Sequence, residues 1–253
     1  MSEMARLFGA KAGAYASFRP HYPHALFAWL AAHSPGRQYA LDIACGNGQA
    51  SLPLREHFDQ VLACDASVEQ LRAAVQAPGI HCLAATAEAL PLAAGRFDLI
   101  VVAQALHWFA TPAFFQEAGR LLKPGGLFCA WCYGLMRIDP ALDALIDRLY
   151  HDTLAAYWPP GRSSIDAGYL DLQPPFARVT VPASAIELQW SIDHLIGYLR
   201  TWSAVQRWEQ AHGHDPIADL EPTLREAWGD IDIQRNVRWP LHFLAGFPTA
   251  TPK

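Results

Sequence analysis

Through its first half the chain alternates short, continuously apolar runs with segments whose apolar residues recur every three to four positions. The runs YALDIA (Tyr39–Ala44), VLACD (Val61–Asp65), IHCLAA (Ile80–Ala85), FDLIVVAQ (Phe97–Gln104) and LFCAWCY (Leu127–Tyr133) are too short for helices. They are apolar at consecutive positions, which predicts strands buried on both faces. Between them, 50–58, 67–76 and 111–122 carry helical spacing. Ser67 with Gln70 three residues on predicts a capping box. Thr111 and Pro112 fit an N-cap and a first helical position. Pro53 falls in the first turn of a helix that starts near Gln49 or Ala50, where its missing N–H removes no bond. Strands and helices alternating at this spacing predict a parallel sheet, doubly wound by right-handed crossovers.

After Tyr133 the pattern changes. The spacing predicts an amphipathic helix over 139–158, a β-like stretch over 178–190, and a helix over 191–213 broken near Trp202-Ser203. A further helix covers 216–228, and a closing hairpin or strand covers 230–247. This half reads as the last strands of the sheet plus helical insertions that roof a pocket. The chain therefore divides into an N-terminal lid with the first helix (1–36), a ligand-binding core (37–134), and a helical cap with the last strands (135–253), integrated as one domain.

Composition narrows the partners. Of 253 residues, 52% are apolar, so a full core can be buried. The net charge is -5 and the only lysines are Lys11, Lys123 and Lys253. Without a basic stripe, nucleic acid is disfavoured as a main partner, and none is expected. No apolar run reaches the roughly 20 residues of a membrane helix, and the first 20 residues lack the pattern of a secretory signal. The five cysteines are odd in number and scattered, which suits reduced thiols and a cytoplasmic location. Cys129 and Cys132 form a C-x-x-C inside a predicted strand, where alternation sends them to opposite faces. No second pair completes a zinc site, and no metal site is expected.

The stretch LDIACGNG, at the carboxyl end of the first strand, stands where an open parallel sheet binds its ligand. A dinucleotide site asks for G-x-G-x-x-G. Starting at Gly46, this chain gives Gly46, Gly48 and then Ser51, so the third glycine is missing. Asp65 ends the second strand and can accept hydrogen bonds from both ribose hydroxyls of an adenosine. That feature alone suits NAD and S-adenosylmethionine equally; the missing glycine disfavours an NAD-type oxidoreductase.

LDIACGNG, VLACDAS, ATAEALPL, FDLIVVAQALHWF and RLLKPGG, in this order, resemble the class I S-adenosylmethionine-dependent methyltransferases. The HWF after the fourth strand, SFRPHYP near the N-terminus, YLRTWSAV and VRWPLHF resemble the small-molecule, trans-aconitate methyltransferase-like branch (methyltransferase type 11). The resemblance covers nearly the whole chain. It implies a Rossmann-like, mostly parallel seven-stranded sheet, S-adenosyl-L-methionine as cofactor and S-adenosyl-L-homocysteine as product. It places Asp42, Ala44, Cys45, Gly46 and Gly48 around the methionine part and Asp65 on the ribose. It also places Ala66, Ala87 and Glu88 around the adenine, and the Gln104 carbonyl on the cofactor ammonium. Ala44 departs from the glycine usual in the family, and Thr86 from a common aspartate.

The acceptor side is read from Tyr15, Arg19, Tyr22, His107, Trp108 and Trp202. Arg19 could pair bidentately with a carboxylate. His107, just past the fourth strand, is the candidate catalytic base, its alternative being a wall beside Trp108. A carboxylate acceptor needs no base, whereas a hydroxyl acceptor does. The expectation is methyl transfer to a carboxylate or hydroxyl oxygen of a small molecule by a monomer or homodimer. A non-catalytic S-adenosylmethionine-binding protein is the alternative from another class.

Overall fold

The computed structural model describes residues 20–74 and 76–249. Five parallel strands form the centre: β1 (Tyr39–Ile43), β2 (Gln60–Asp65), β3 (Ile80–Ala84), β4 (Phe97–Ala103) and β5 (Leu122–Cys132). Two late strands, β6 (Phe176–Arg178) and β9 (His242–Pro248), complete a seven-stranded sheet in the order β3-β2-β1-β4-β5-β9-β6. Only β9 runs against its neighbours. The order reverses between β1 and β4, which places the topological switch point there.

Alternation along the central strands builds two cores. Leu99 and Val101 of β4, with Leu127, Cys129 and Trp131 of β5, pack on the face covered by α1 (His24–Ala32). Ile100 and Val102, with Phe128, Ala130 and Cys132, pack on the face covered by α4 (Pro112–Leu121). Cys129 and Cys132 therefore lie in separate cores, and burial pushes both thiols up, Cys132 to about 12. α2 (Ser51–Arg55) holds Pro53 as its third residue, and α4 starts as expected, with the Thr111 hydroxyl accepting from the Phe114 N–H at 3.2 Å. β5 begins five residues before its apolar run. It takes in Lys123-Pro124-Gly125-Gly126 through a register break opposite Phe97 and Leu99, where Lys123 reaches buried Asp98 at 2.8 Å.

Two segments differ from the sequence reading. The helix expected over 139–158 is α5 (Pro140–Arg148), capped by Asp139, then a π-helical turn over Leu149–Thr153 and a 3-10 turn over Ala155–Tyr157. The Trp158 indole N–H donates to the Tyr150 carbonyl at 3.0 Å, a bond that suits the widened turn. The expected closing hairpin is two strands, β8 (Arg235–Pro240) and β9, that do not pair with each other. β8 joins β7 (Ala185–Trp190) in a separate ribbon. Leu241 alone lies between β8 and β9, and its N–H donates to the Ser184 carbonyl at 2.9 Å, so no hairpin turn can form. The remaining helices are α3 (Val68–Ala73), α6 (Arg162–Asp166), α7 (Ile192–Arg200), α8 (Ser203–His212) and α9 (Pro216–Trp228). α7 and α8 break at Thr201-Trp202, as the sequence predicts. Among the described residues no helix is long and apolar enough to cross a membrane.

Candidate active site

β1 stops where the chain turns into the left-handed region. Ala44 has φ +55°, Gly46 +56° and Gly48 +90°. Glycine enters this region without steric cost; alanine does so at roughly 1–2 kcal/mol. The turn is fixed by the Cys45 N–H donating to the Cys64 carbonyl (3.0 Å) and the Gly48 N–H donating to the Cys45 carbonyl (2.9 Å). Strained alanine backbone at the carboxyl end of the first strand marks a place where chain path matters more than local comfort.

Two carboxylates hold this turn. Asp65, at the end of β2, accepts the Gly46 N–H on Oδ2 and the Ser67 N–H on Oδ1, both at 2.8 Å. The capping box is thus only half as expected. The Ser67 hydroxyl accepts from the Gln70 N–H at 3.2 Å, but the Ser67 N–H goes to Asp65. Asp42, in β1, is fully buried; its Oδ2 accepts from the Ser51 hydroxyl at 2.6 Å. Its Oδ1 is buried with no hydrogen-bond partner among the described residues. Burial, opposed by the Ser51 bond and assisted by the charge of Asp65, pushes the Asp42 carboxyl up to about 7. Burial and the same carboxylates push the Cys45 thiol far above its ordinary value, so it is no thiolate nucleophile.

Across the switch point, β4 is followed at once by a second left-handed non-glycine residue, Gln104, at φ +57°. Its side chain clamps the backbone of Tyr133 from both sides: Nε2 donates to the Tyr133 carbonyl and Oε1 accepts the Tyr133 N–H, each at 2.8 Å. Gln104→Glu keeps the shape but turns an oxygen on that carbonyl. The melting temperature should fall by roughly 4–8 °C, the equivalent of about 2 kcal/mol. An unchanged melting curve would show that the clamp holds nothing.

Between these strand ends lies a cavity of about 220 Å³. Of the residues expected at the site, Ala44, Cys45, Gly46, Asp65, Ala66, Gln104, Tyr22 and Trp108 line it. Asp42, in β1, and Gly48, in the turn, are not on its lining. Ala87 is buried in the core beside α4, and Glu88 is exposed outside the lining. Trp202 is part of a buried aromatic cluster, 5.9 Å from Tyr150 and 5.5 Å from Trp158 between ring centres, and does not reach the cavity. Tyr15 and Arg19 lie outside the described residues.

His107 is also off the lining. It sits in a 3-10 turn with Nδ1 3.5 Å from the Tyr169 hydroxyl. Burial, aided by the Arg162 charge, lowers its pKa to about 3. The sequence reading missed Ser67, Gln70, Phe109 and Tyr133, all of which line the cavity. Phe109 closes the HWF motif, and Ser67 and Gln70 follow Asp65 in the first turn of α3, so the signal was adjacency.

S-adenosylmethionine suits this donor set. An orphaned carboxylate oxygen faces a buried setting that favours a cation or its hydration, and a second carboxylate at a strand end suits a ribose diol. A close-passing turn suits a thin chain.

Comparison with known proteins agrees. The family described as "Methyltransferase domain" matches residues 41–130. A Dictyostelium discoideum protein named as a methyltransferase is 34% identical over 244 residues, covering 94% of this chain and 93% of that one. A Mycobacterium tuberculosis protein named as an uncharacterized methyltransferase is 37% identical over 127 residues, 49% of this chain and 51% of its own length. A solved structure from Anaeromyxobacter dehalogenans, described as that of a type II methyltransferase, is 44% identical. It superposes with a TM-score of 0.85 over 92% of this chain and 100% of its own. The glycine turn, the two strand-end carboxylates and the left-handed Gln104 thus sit in a chain that matches the Dictyostelium and Anaeromyxobacter proteins along nearly its full length, and the chain belongs to the class I S-adenosylmethionine-dependent methyltransferases, in the type 11 branch.

Proposed function

We propose that the chain transfers the methyl group to an oxygen of a small-molecule acceptor. The observation that carries this reading is the wall of the cavity beyond Gln104. Tyr22, Trp108, Phe109 and Tyr133 enclose it with rings, which favours a compact organic acceptor over a polymer. The bound cofactor supplies a methyl already activated by the sulfonium charge. The protein's part is to hold the acceptor oxygen in line, at an approach of about 3–3.5 Å, and to keep water out.

In this reading Asp65 and the backbone of Ala44–Gly46 hold the cofactor, with Ala66, Ala87 and Glu88 near the adenine and the Gln104 carbonyl on the ammonium. In the same reading 37–134 is the cofactor core and 135–253 the cap and last strands; of the stretch 1–36, expected to hold a lid and the first helix, α1 covers one face of the sheet and the first 19 residues lie outside the described ones. His107 stands behind the lining and is not the base, since an imidazole with its pKa pushed down to about 3 takes up a proton poorly near neutral pH.

The test is a methyl-transfer screen of small carboxylic acids, phenols and amines with labelled cofactor, run from pH 5 to 9. Labelled ester or ether from acids or phenols supports the reading; label on amines alone, or on nothing, overturns it. With an acceptor in hand, His107→Gln should leave the shape of the pH profile unaltered. Loss of an inflection would restore His107 as the base.

A further inference from the structure

The insertion after β5 carries a cation that the fold does not use up. Arg162 starts α6, and its side chain is only 20% exposed. Its guanidinium lies 4.7 Å from the ring centre of Trp158 and 5.2 Å from that of Tyr150. Only Nε has a hydrogen-bond acceptor among the described residues, the Tyr150 hydroxyl. The nearest carboxylate, Asp166, stays 3.9 Å from Nε and is occupied by the Tyr150 hydroxyl at 2.7 Å. The two terminal nitrogens, the fork that grips oxyanions, have no acceptor among the described residues.

Its position is also defined. Gly161 is packed against the 3-10 turn that follows β4: a Cβ there would come within 2.6 Å of the His107 carbonyl oxygen, at φ +85°. Trp108, the next residue after His107, lines the cavity. α6 also lies beside the last residue of β5, where the Cys132 thiol is 3.9 Å from the Ile165 carbonyl oxygen. Ile165 packs in the core on one face of the sheet, while Tyr150, bonded to Arg162, packs in the core on the other. Tyr150 itself lies in the π-helical turn, a local widening often found at functional sites.

We infer that Arg162, aimed and walled by Tyr150 and Trp158, is a specificity-determining residue that binds an oxyanion on the acceptor, a carboxylate or a phosphate, at a point away from the attacking oxygen. This rests on the reading of the cavity as the site of a small-molecule acceptor. The anion and the nucleophile are separate groups, because an oxygen whose lone pairs are held by a guanidinium fork is a poor nucleophile. The acceptor therefore carries two functions, one anchored and one methylated. Arg162 is attached to the cap rather than to the glycine turn, so its removal should leave cofactor binding untouched.

The experiment uses the full chain saturated with S-adenosylhomocysteine and matched probes: benzoate against benzamide, succinate against succinamide, and phenyl phosphate against phenol. Binding is read by tryptophan fluorescence and calorimetry. At least one anion should bind tenfold or more tightly than its neutral partner, roughly one charge-assisted bond. The carboxylate and phosphate arms then say which oxyanion is preferred. Arg162→Met should abolish the preference, Arg162→Lys retain part of it, and Tyr150→Phe weaken it, with S-adenosylhomocysteine affinity and melting temperature reporting intact folding. No anion preference in the unaltered protein, or a preference that survives Arg162→Met, overturns the inference. A labelled screen yielding no oxygen methylation would instead overturn the acceptor reading beneath it.

Discussion

In a calorimetric titration, the Asp65→Ala variant should bind S-adenosylhomocysteine about 100-fold more weakly than the unaltered chain. Each Asp65 oxygen takes one backbone N–H, from Gly46 and from Ser67, and keeps a lone pair directed outward. A ribose diol can fill both. Hydrogen bonds to a charged group contribute about 1.5–3 kcal/mol each, so losing two removes roughly 3 kcal/mol or more. The same substitution also leaves the Gly46 and Ser67 N–H groups without an acceptor, and the glycine turn could loosen for that reason alone. A cofactor analogue lacking both ribose hydroxyls separates the two effects. If Asp65 acts on the ribose, the variant and the unaltered chain bind the analogue with similar affinity. Equal losses for both ligands would make Asp65 a brace for the turn, and an unchanged affinity for S-adenosylhomocysteine would remove it from the cofactor site.

The parts of this site legible in the sequence are those tied to local pattern. β1, β4 and β5 were visible because strands buried on both faces read as unbroken apolar runs; β3 read the same way, yet it stands at the sheet edge with no residue fully buried, because an edge strand has one neighbour only. Gly46 was visible because it follows the first run by two residues, and Asp65 because it ends the second. What was not legible depends on direction and on distant pairing. His107 and Trp108 are neighbours in the chain, but side chains in a 3-10 turn diverge by about a third of a turn per residue. One faces the cavity and the other Tyr169. Trp202 looked like a pocket ring, yet its partners Tyr150 and Trp158 lie more than forty residues away and hold it in the core. Tyr133 reaches the cavity because the Gln104 side chain, 29 residues earlier, fixes its backbone. β8 and β9 read as a hairpin because their partners β7 and β5 are chosen by the sheet, not by the residue between them.

The buried carboxyl of Asp42 should make the stability of the ligand-free chain depend on pH. Burial favours the neutral form, so its pKa stands at about 7 in the folded chain, against about 4 in an unfolded one. Between those values the folded state holds a proton that the unfolded state has released. Stability therefore falls as pH rises through that window, by at most about 1.4 kcal/mol per pH unit and roughly 4 kcal/mol in all. Urea unfolding at pH 5, 6 and 7 should show the decline, and Asp42→Asn, which cannot ionise, should show a shallower one. If the cofactor ammonium comes near the unpartnered Oδ1, it reverses the balance, since a cation there favours the carboxylate. S-adenosylhomocysteine binding near pH 6 should then release a proton from the unaltered chain and none from Asp42→Asn, measured by calorimetry in buffers of different ionisation enthalpy. Parallel pH slopes for the two proteins would mean that Asp42 is already ionised in the folded chain. Equal proton release would mean that the cofactor's charge is met elsewhere.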